Sequence, residues 1–171
     1  MITKIHSWKN IELIEENITL PNELEVLHTS ITHPGAAVIL PVTESGEIVL
    51  TRQYRPSIKK WMLEIPAGTM EPGEDPMRCA ERELEEETGY STRDLLPLGE
   101  LTPLAGFCDE TQFLFVAKQL TKTNRLSCDD DEVIEVKQYS VNELEAKVVS
   151  GEITDSKTIA ALFRAKLAGV L

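Results

Sequence analysis

The chain has 171 residues, 42% of them hydrophobic, and a formal net charge of −12. This length and composition fit one globular domain with a sizeable core. The acidic charge argues against nucleic acid and anionic membranes as partners, because both bind basic surfaces. No apolar run approaches the ~20 residues that cross a bilayer, and the N-terminal stretch lacks a signal-peptide core, so we expect a cytoplasmic protein. The three cysteines form no C-x-x-C pair, which argues against a disulfide framework or a thiolate zinc site.

The first half of the chain is predicted to be mainly β-structure. Short segments that are apolar or alternate apolar with polar residues, separated by Pro-Asn and Ser-Gly turns, indicate strands. These predicted strands cover residues 11–20, 23–31, 36–42, 48–54 and 61–65. We assign residues 1–33 to an N-terminal antiparallel extension.

The second half mixes helices with strands. A helix is predicted over 75–88, with Asp75 as its N-cap and Gly89 as its C-terminal stop. The last predicted helix has Leu162, Phe163 and other apolar residues at helical spacing. The other predicted elements are strands near 96–102, 111–118 and 132–139 and helices over 141–149 and 156–168. Strands followed by mixed elements predict an α/β (α+β) fold with a mixed sheet.

The predicted helix over 75–88 carries a crowded set of carboxylates. Glu83, Glu86 and Glu87 share one face, and Arg82 can reach Glu86 but leaves the other two unbalanced. Like charges at this spacing cost roughly 0.2–0.5 kcal/mol per pair, and more near a core. Carboxylate oxygens suit Mg²⁺ or Mn²⁺, whereas the lack of any later histidine disfavours zinc. The alternative is a solvated acidic helix without a ligand, and the helix alone leaves the two interpretations equally open.

A glycine-rich loop before this helix favours the ligand-binding interpretation. Gly68 and Gly73 flank a turn that leads to Glu74, and glycine backbone can approach a phosphate closely. The segment 68–90, GTMEPGEDPMRCAERELEEETGY, resembles the Nudix box of the Nudix hydrolases. Every fixed position of that pattern is matched, and Tyr90 stands where an aliphatic residue is usual.

The resemblance implies a Nudix domain over 34–171, an α/β/α sandwich that uses Mg²⁺, with Mn²⁺ as the alternative. The implied metal ligands are the Ala67 carbonyl and the carboxylates of Glu83, Glu86 and Glu87, and Glu86 also counts among the catalytic residues. The residues implied to shape the loop or orient the ligands are Gly68, Glu74 and Arg82.

Two further stretches, LEIPAG before the box and QYRP near residue 53, resemble the ADP-ribose pyrophosphatase branch of the family. In that branch a later acidic loop supplies another ligand and the base. Glu132 is the candidate ligand and Asp130 the candidate base, although the alternative is a solvated charge run. Glu110 is a second candidate for the base or for a substrate contact. Residues 104–107 are L-A-G-F where the branch has S-P-G-F. This difference affects the prediction of which sugar moiety the substrate carries.

Substrate contacts are assigned to two further side chains. Arg55 is the candidate for the phosphates, because guanidinium binds phosphate bidentately. Trp8 is a candidate to stack on the base, and since N-terminal strands in this branch cross to a second subunit, the resemblance implies a homodimer. For Trp61 we expect core packing, and for Lys59 and Lys60 an ordinary surface role.

The implied reaction is Mg²⁺-dependent hydrolysis of ADP-ribose to AMP and ribose 5-phosphate. A nucleoside diphosphate sugar such as GDP-mannose is the nearest alternative substrate. A non-catalytic nucleotide-sensing module and a scaffold that docks through the acidic helix are alternatives of other classes. A sensor usually loses box carboxylates, and none is missing here. No G-x-S-x-G elbow or P-loop motif supports another enzyme type.

Overall fold

A computed structural model describes residues 2–123 and 133–171. Within these ranges the strands are β1 (Ile2–Trp8), β2 (Ile11–Thr19), β3 (Glu25–Thr32), β4 (Ala36–Pro41), β5 (Ile48–Arg55), β6 (Lys60–Glu64), β7 (Ala67–Thr69), β8 (Tyr90–Ser91), β9 (Asp94–Leu101), β10 (Gln112–Lys118), β11 (Thr121–Lys122) and β12 (Ile134–Tyr139). The helices are α1 (Pro76–Thr88), α2 (Val141–Ser150) and α3 (Ser156–Leu167).

The first three strands form a separate antiparallel sheet in the order β1-β2-β3. The predicted strands at 11–20 and 23–31 are confirmed as β2 and β3. Strand β1 was not predicted, and every residue of it is exposed, including Ile2, Ile5 and Trp8. Because no face of β1 is buried, its sequence carries no clear alternation of apolar and polar residues.

The predicted mixed sheet is confirmed. Strand β4 pairs parallel with β10 and antiparallel with β7, and β9 extends the sheet on the far side of β10. A second sheet has the order β12-β5-β6, and β8 pairs with β11. All six residues of β4 are buried, which is expected of a strand covered on both faces.

Helices cover both faces of the sheet that contains β4. On one face Ala37 and Ile39 pack with Cys79, Ala80 and Leu84 of α1. On the other face Val38 and Leu40 pack with α2 and α3. The predicted α/β/α sandwich is therefore confirmed, and α1, which carries the clustered glutamates, is the one described helix on its side of the sheet.

Helix α3 buries only part of the apolar set that the sequence has at helical spacing. Phe163 and Leu167 are 63% and 74% exposed, and the buried residues are Thr158, Ala161, Leu162 and Ala165. Leu162 of that set lies in the core together with the small residues Ala161 and Ala165. Within the described ranges no helix is long and apolar enough to cross a membrane.

The ends of α1 are set by local capping, as predicted. The Asp75 side chain accepts hydrogen bonds from the Met77 and Arg78 amides at 3.0 and 3.3 Å. Gly89 ends the helix with φ of 69°, in the left-handed region that glycine adopts without strain. These caps fix where the acidic face of α1 begins and ends.

Removal of the N-cap should weaken this helix measurably. We expect Asp75→Ala to lower the free energy of unfolding by about 1 kcal/mol, the usual cost of losing such a cap. Asp75→Asn is the matched control, because its side-chain oxygen still accepts the same bonds. Denaturant unfolding measures both variants, and equal stability of the two would contradict the assigned cap.

Candidate active site

Strand β7, which contains Gly68, runs directly beneath the acidic face of α1. A Cβ atom placed on Gly68 would lie 1.9 Å from both Cδ and Oε1 of Glu83. That overlap is far inside contact distance, so only glycine lets the Glu83 carboxylate rest against the strand backbone. Gly68 therefore sets the distance between β7 and α1.

Arg82 connects the loop to the acidic face of α1. Its Nε and Nη2 atoms donate to the two carboxylate oxygens of Glu74, both at 3.0 Å. Its Nη1 atom donates to Glu83 at 2.6 Å and to Glu86 at 3.0 Å. The expectation that Arg82 reaches only Glu86 and leaves Glu83 unbalanced was wrong. The reason is that the guanidinium fork has enough donors for three carboxylates.

Glu87 is the most deeply buried carboxylate on α1. It is 4% exposed, and its Oε2 accepts a hydrogen bond from the Ala67 amide at 3.3 Å. Burial of an ionised carboxylate is costly unless charge partners or hydrogen bonds offset the lost hydration. The structure thus brings Ala67 and Glu87 together, as the sequence motif implied, at the point where β7 meets the helix.

Arg82 and the carboxylates around it change the pKa values of neighbouring side chains. The guanidinium lowers the pKa of Glu74 to about 2, chiefly through the two hydrogen bonds. The Glu74 carboxylate in turn raises the pKa of Arg82. Burial, together with the negative charge of Glu83, raises the pKa of the Cys79 thiol to about 12. Cys79 is therefore a neutral packing residue and not a nucleophile.

The lowered pKa of Glu74 makes stability depend on pH in a defined window. A carboxyl group with a depressed folded-state pKa stabilises the fold above its unfolded value of 4.5 and loses this contribution as pH falls toward 2. We expect the free energy of unfolding to decrease as the pH falls from 4.5 toward 2. In Glu74→Gln this decrease should be smaller. Denaturant unfolding at several pH values measures it, with Glu44→Gln at an exposed position as the control. An unchanged pH profile in Glu74→Gln would contradict the assignment.

The oxygen donors of the site match the chemistry of a hard divalent cation. The Ala67 carbonyl and the three box carboxylates are all oxygens, which Mg²⁺ prefers. In the described ranges, however, no group of three or more Asp, Glu, His or Cys side chains is placed so that it could hold a metal ion. Glu83 and Glu86 contact Arg82, and Glu87 contacts the Ala67 amide. The donor set fits Mg²⁺, which would compete with Arg82 for Glu83 and Glu86.

Arg55 pairs with a buried carboxylate, Glu64, which the sequence did not predict as its partner. Its Nε and Nη2 atoms donate to the two oxygens of Glu64, both at 2.8 Å, while the Arg55 side chain stays 35% exposed. Glu64 is only 2% exposed and lies three residues before Ala67. A charged residue inside the apolar stretch LEIPAG was the signal that could have identified Glu64, because a buried charge needs a partner.

The remaining predicted site residues are Glu110, Trp8, Asp130 and Glu132. Glu110 accepts a hydrogen bond from Gln112 Nε2 at 2.9 Å. Next to it, Asp109 accepts one from the His33 amide at 2.7 Å, which ties this loop to the end of β3. Trp8 is 62% exposed on β1. Asp130, the candidate base, lies outside the described residues, and so does the candidate ligand Glu132.

Trp61 does not pack in the core. Its side chain is 41% exposed and meets the Tyr54 ring edge-on, with 5.7 Å between ring centroids. The Arg52 guanidinium lies 4.2 Å from the Trp61 ring centroid. The expectation of core packing was wrong, because Trp61 lies next to the turn of the β5–β6 hairpin, where residues 56–61 are all exposed.

Comparison with known proteins identifies the matching family. The NUDIX domain model matches residues 32–162. The chain is 37% identical to an ADP-ribose pyrophosphatase of Bacillus subtilis (strain 168) over 160 residues, which cover 93% of this chain and 86% of that protein. It is equally identical, with the same coverage, to a methanol dehydrogenase activator of Bacillus methanolicus.

Two more distant matches agree with these. A GDP-mannose pyrophosphatase of Cronobacter sakazakii is 33% identical over 147 residues, which cover 80% of this chain and 75% of that protein. The crystal structure of an ADP compounds hydrolase superimposes with a TM-score of 0.83 at 19% identity, covering 97% of this chain and 90% of that one. At that identity the structural match supports the fold alone.

Proposed function

This chain belongs to the Nudix family and is a pyrophosphohydrolase, and we propose that it hydrolyses ADP-ribose to AMP and ribose 5-phosphate with Mg²⁺. The observation that carries this proposal is the buried Glu87, held beside Ala67 on the helix face that also presents Glu83 and Glu86. The similarity to ADP-ribose pyrophosphatases, which extends over most of the chain, supports ADP-ribose as the substrate.

Mg²⁺ would be held by the Ala67 carbonyl, the three box carboxylates and Glu132, with Mn²⁺ as the alternative ion. When bound, such an ion neutralises phosphate oxygens and lowers the pKa of a water molecule. Arg82 connects the loop to the helix through two hydrogen bonds that it donates to Glu74, and it donates one more each to Glu83 and Glu86 on its own helix. Arg55 would bind the diphosphate through the exposed part of its guanidinium.

The chemical step is attack of water on one phosphorus of the P–O–P link. The new P–O bond forms as the bond to the bridging oxygen breaks, and a carboxylate accepts the proton of the attacking water. The candidates for that base are Asp130 and Glu110. Each needs only to come within hydrogen-bond reach of the water in the substrate complex.

We also propose a cytoplasmic homodimer that has neither nucleic acid nor membrane as a partner. The N-terminal extension, residues 1–33, would form the dimer contact. Ile2, Ile5 and Trp8 leave β1 with exposed apolar surface at the edge of its sheet, which supports this assignment. In such a dimer Trp8 would stack on the base in the partner's site. Sedimentation analysis tests the proposal, and a monomer at all concentrations would overturn it.

A panel of ADP-ribose, GDP-mannose, UDP-glucose and diadenosine polyphosphates tests the substrate assignment. We expect the highest kcat/KM with ADP-ribose in the presence of Mg²⁺. Higher kcat/KM with GDP-mannose would favour the second candidate, a nucleoside diphosphate sugar pyrophosphatase, which the similarity to GDP-mannose pyrophosphatases supports. Tight binding without turnover of any compound would indicate a nucleotide sensor and contradict the enzyme.

A further inference from the structure

A charged network links the N-terminus of α3 to Arg55. The Lys157 ammonium contacts the Glu64 carboxylate, which also accepts both hydrogen bonds from Arg55. The same ammonium donates to Asp155 at 3.0 Å. The Asp155 carboxylate in turn caps α3 by accepting from the Thr158 amide at 2.9 Å. Two cations and two carboxylates therefore alternate along one chain of contacts.

This network is largely shielded from water. Glu64 is 2% exposed, and the side chains of Lys157 and Asp155 are each 11% exposed. The attraction of the two cations lowers the pKa of Glu64 in spite of its burial. A charge pair in such surroundings interacts far more strongly than a surface pair, and loss of one member leaves its partner uncompensated. Glu64 is thus held as an ionised carboxylate between Lys157 and Arg55.

The backbone on either side of Glu64 is fixed as well. Thr51 Oγ1 donates to the Glu64 carbonyl at 3.2 Å, and the Ile65 amide donates to the fully buried Thr158 Oγ1 at 2.9 Å. Two residues later the Ala67 amide contacts Glu87. Glu64 and Ala67 are three residues apart, which is at most about 11 Å along the chain. Lys157 contacts this segment directly through the carboxylate of Glu64.

We propose that Lys157 is a positioning residue for diphosphate binding: through Glu64 it fixes the direction in which Arg55 presents its guanidinium to the phosphates. Lys157 itself does not touch the substrate. Lys157 contacts the Glu64 carboxylate, and this carboxylate accepts two hydrogen bonds from one edge of the Arg55 guanidinium. The exposed part of the guanidinium is therefore held in a defined orientation. This inference rests on the proposed function in one respect, namely that the ligand is a nucleoside diphosphate.

A double-mutant cycle tests this arrangement with ADP as the probe and no divalent cation present. The variants are Lys157→Met, Arg55→Met and the double substitution, with Lys166→Met on the exposed part of α3 as the matched control. We expect Lys157→Met to weaken ADP binding by about tenfold, as loss of an orienting partner does. In the Arg55→Met background the same change should have no further effect, because its route to the ligand is gone. Lys157→Arg keeps the positive charge and should bind ADP with most of the wild-type affinity.

Turnover of ADP-ribose with Mg²⁺ supplies a second readout. We expect Lys157→Met to raise KM while kcat stays nearly unchanged, and a merely structural role would instead lower thermal stability without this split. If Lys157→Met does not fold, Asp155→Asn carries the same test, because Asn still caps α3 but removes the charge beside Lys157. Additive effects in the cycle, unchanged affinity in the folded lysine variant, or no ADP binding by the wild-type protein would each overturn the inference. Coupled ADP binding without ADP-ribose turnover would instead overturn the proposed function alone.

Discussion

Glu87→Gln is expected to lower kcat for ADP-ribose by about 10²–10³-fold, the usual effect of removing one charged group from a preorganised site. The substitution removes a full negative charge at the point where β7 and α1 meet. Glutamine keeps the shape of the side chain, and its oxygen can still accept the hydrogen bond from the Ala67 amide. The fold should therefore persist, and the free energy of unfolding should stay the same or rise, because a neutral amide is less costly to bury than a carboxylate.

Steady-state kinetics together with denaturant unfolding separate the two effects of this substitution. Lys118→Ala, which alters a residue at the end of β10 and outside the box, is the control and should keep wild-type kcat. Full activity in a folded Glu87→Gln variant would show that Glu87 is not part of the catalytic site. A large loss of stability would show that the Glu87 charge is needed for the fold.

Gly68→Ala is expected to damage both activity and stability. The added Cβ atom would overlap the Glu83 carboxylate at 1.9 Å, so either Glu83 must leave its position or β7 must move away from α1. Overpacking of this kind costs about 1–3 kcal/mol of stability. Because Glu83 belongs to the acidic face, we also expect kcat/KM for ADP-ribose to fall by about a hundredfold, as small misplacements of catalytic groups cause.

Gly106→Ala is the matched control for that prediction. Among the described residues, apart from its neighbours in the chain, no atom lies within 4 Å of a Cβ placed on Gly106, so this alanine should leave stability close to wild type. Thermal unfolding and kcat/KM are measured for both variants. Wild-type values for Gly68→Ala would contradict the close contact between the glycine and Glu83.

The features that could be predicted from the sequence are mostly local ones. Asp75 and Gly89 lie at the ends of one helix, and their capping preferences do not depend on the rest of the fold. Strand β4 was recognisable because burial on both faces produces a continuous apolar run. Helical periodicity is local in the same way. The sequence therefore predicted that Glu83 and Glu86 lie on one side of α1, where both contact Arg82.

Interactions between distant parts of the chain could not be predicted in this way. Lys157 and Glu64 are 93 positions apart, and neither residue alone indicates the other. Trp61 was assigned to the core because large aromatic residues are usually well buried, yet its position next to the turn of the β5–β6 hairpin exposes it. Strand β1 has no buried face at all, so the periodicity that identifies other strands is missing. In each case tertiary context decided the outcome.

The most direct measurement of the central claim is the product analysis of ADP-ribose incubated with the purified protein and Mg²⁺ in heavy-oxygen water. We expect AMP and ribose 5-phosphate in equal amounts, with a heavy oxygen atom on the phosphate of only one of them, because one water molecule splits the P–O–P link. Intact ADP-ribose after prolonged incubation, or release of free adenine or inorganic phosphate in place of AMP, would contradict it.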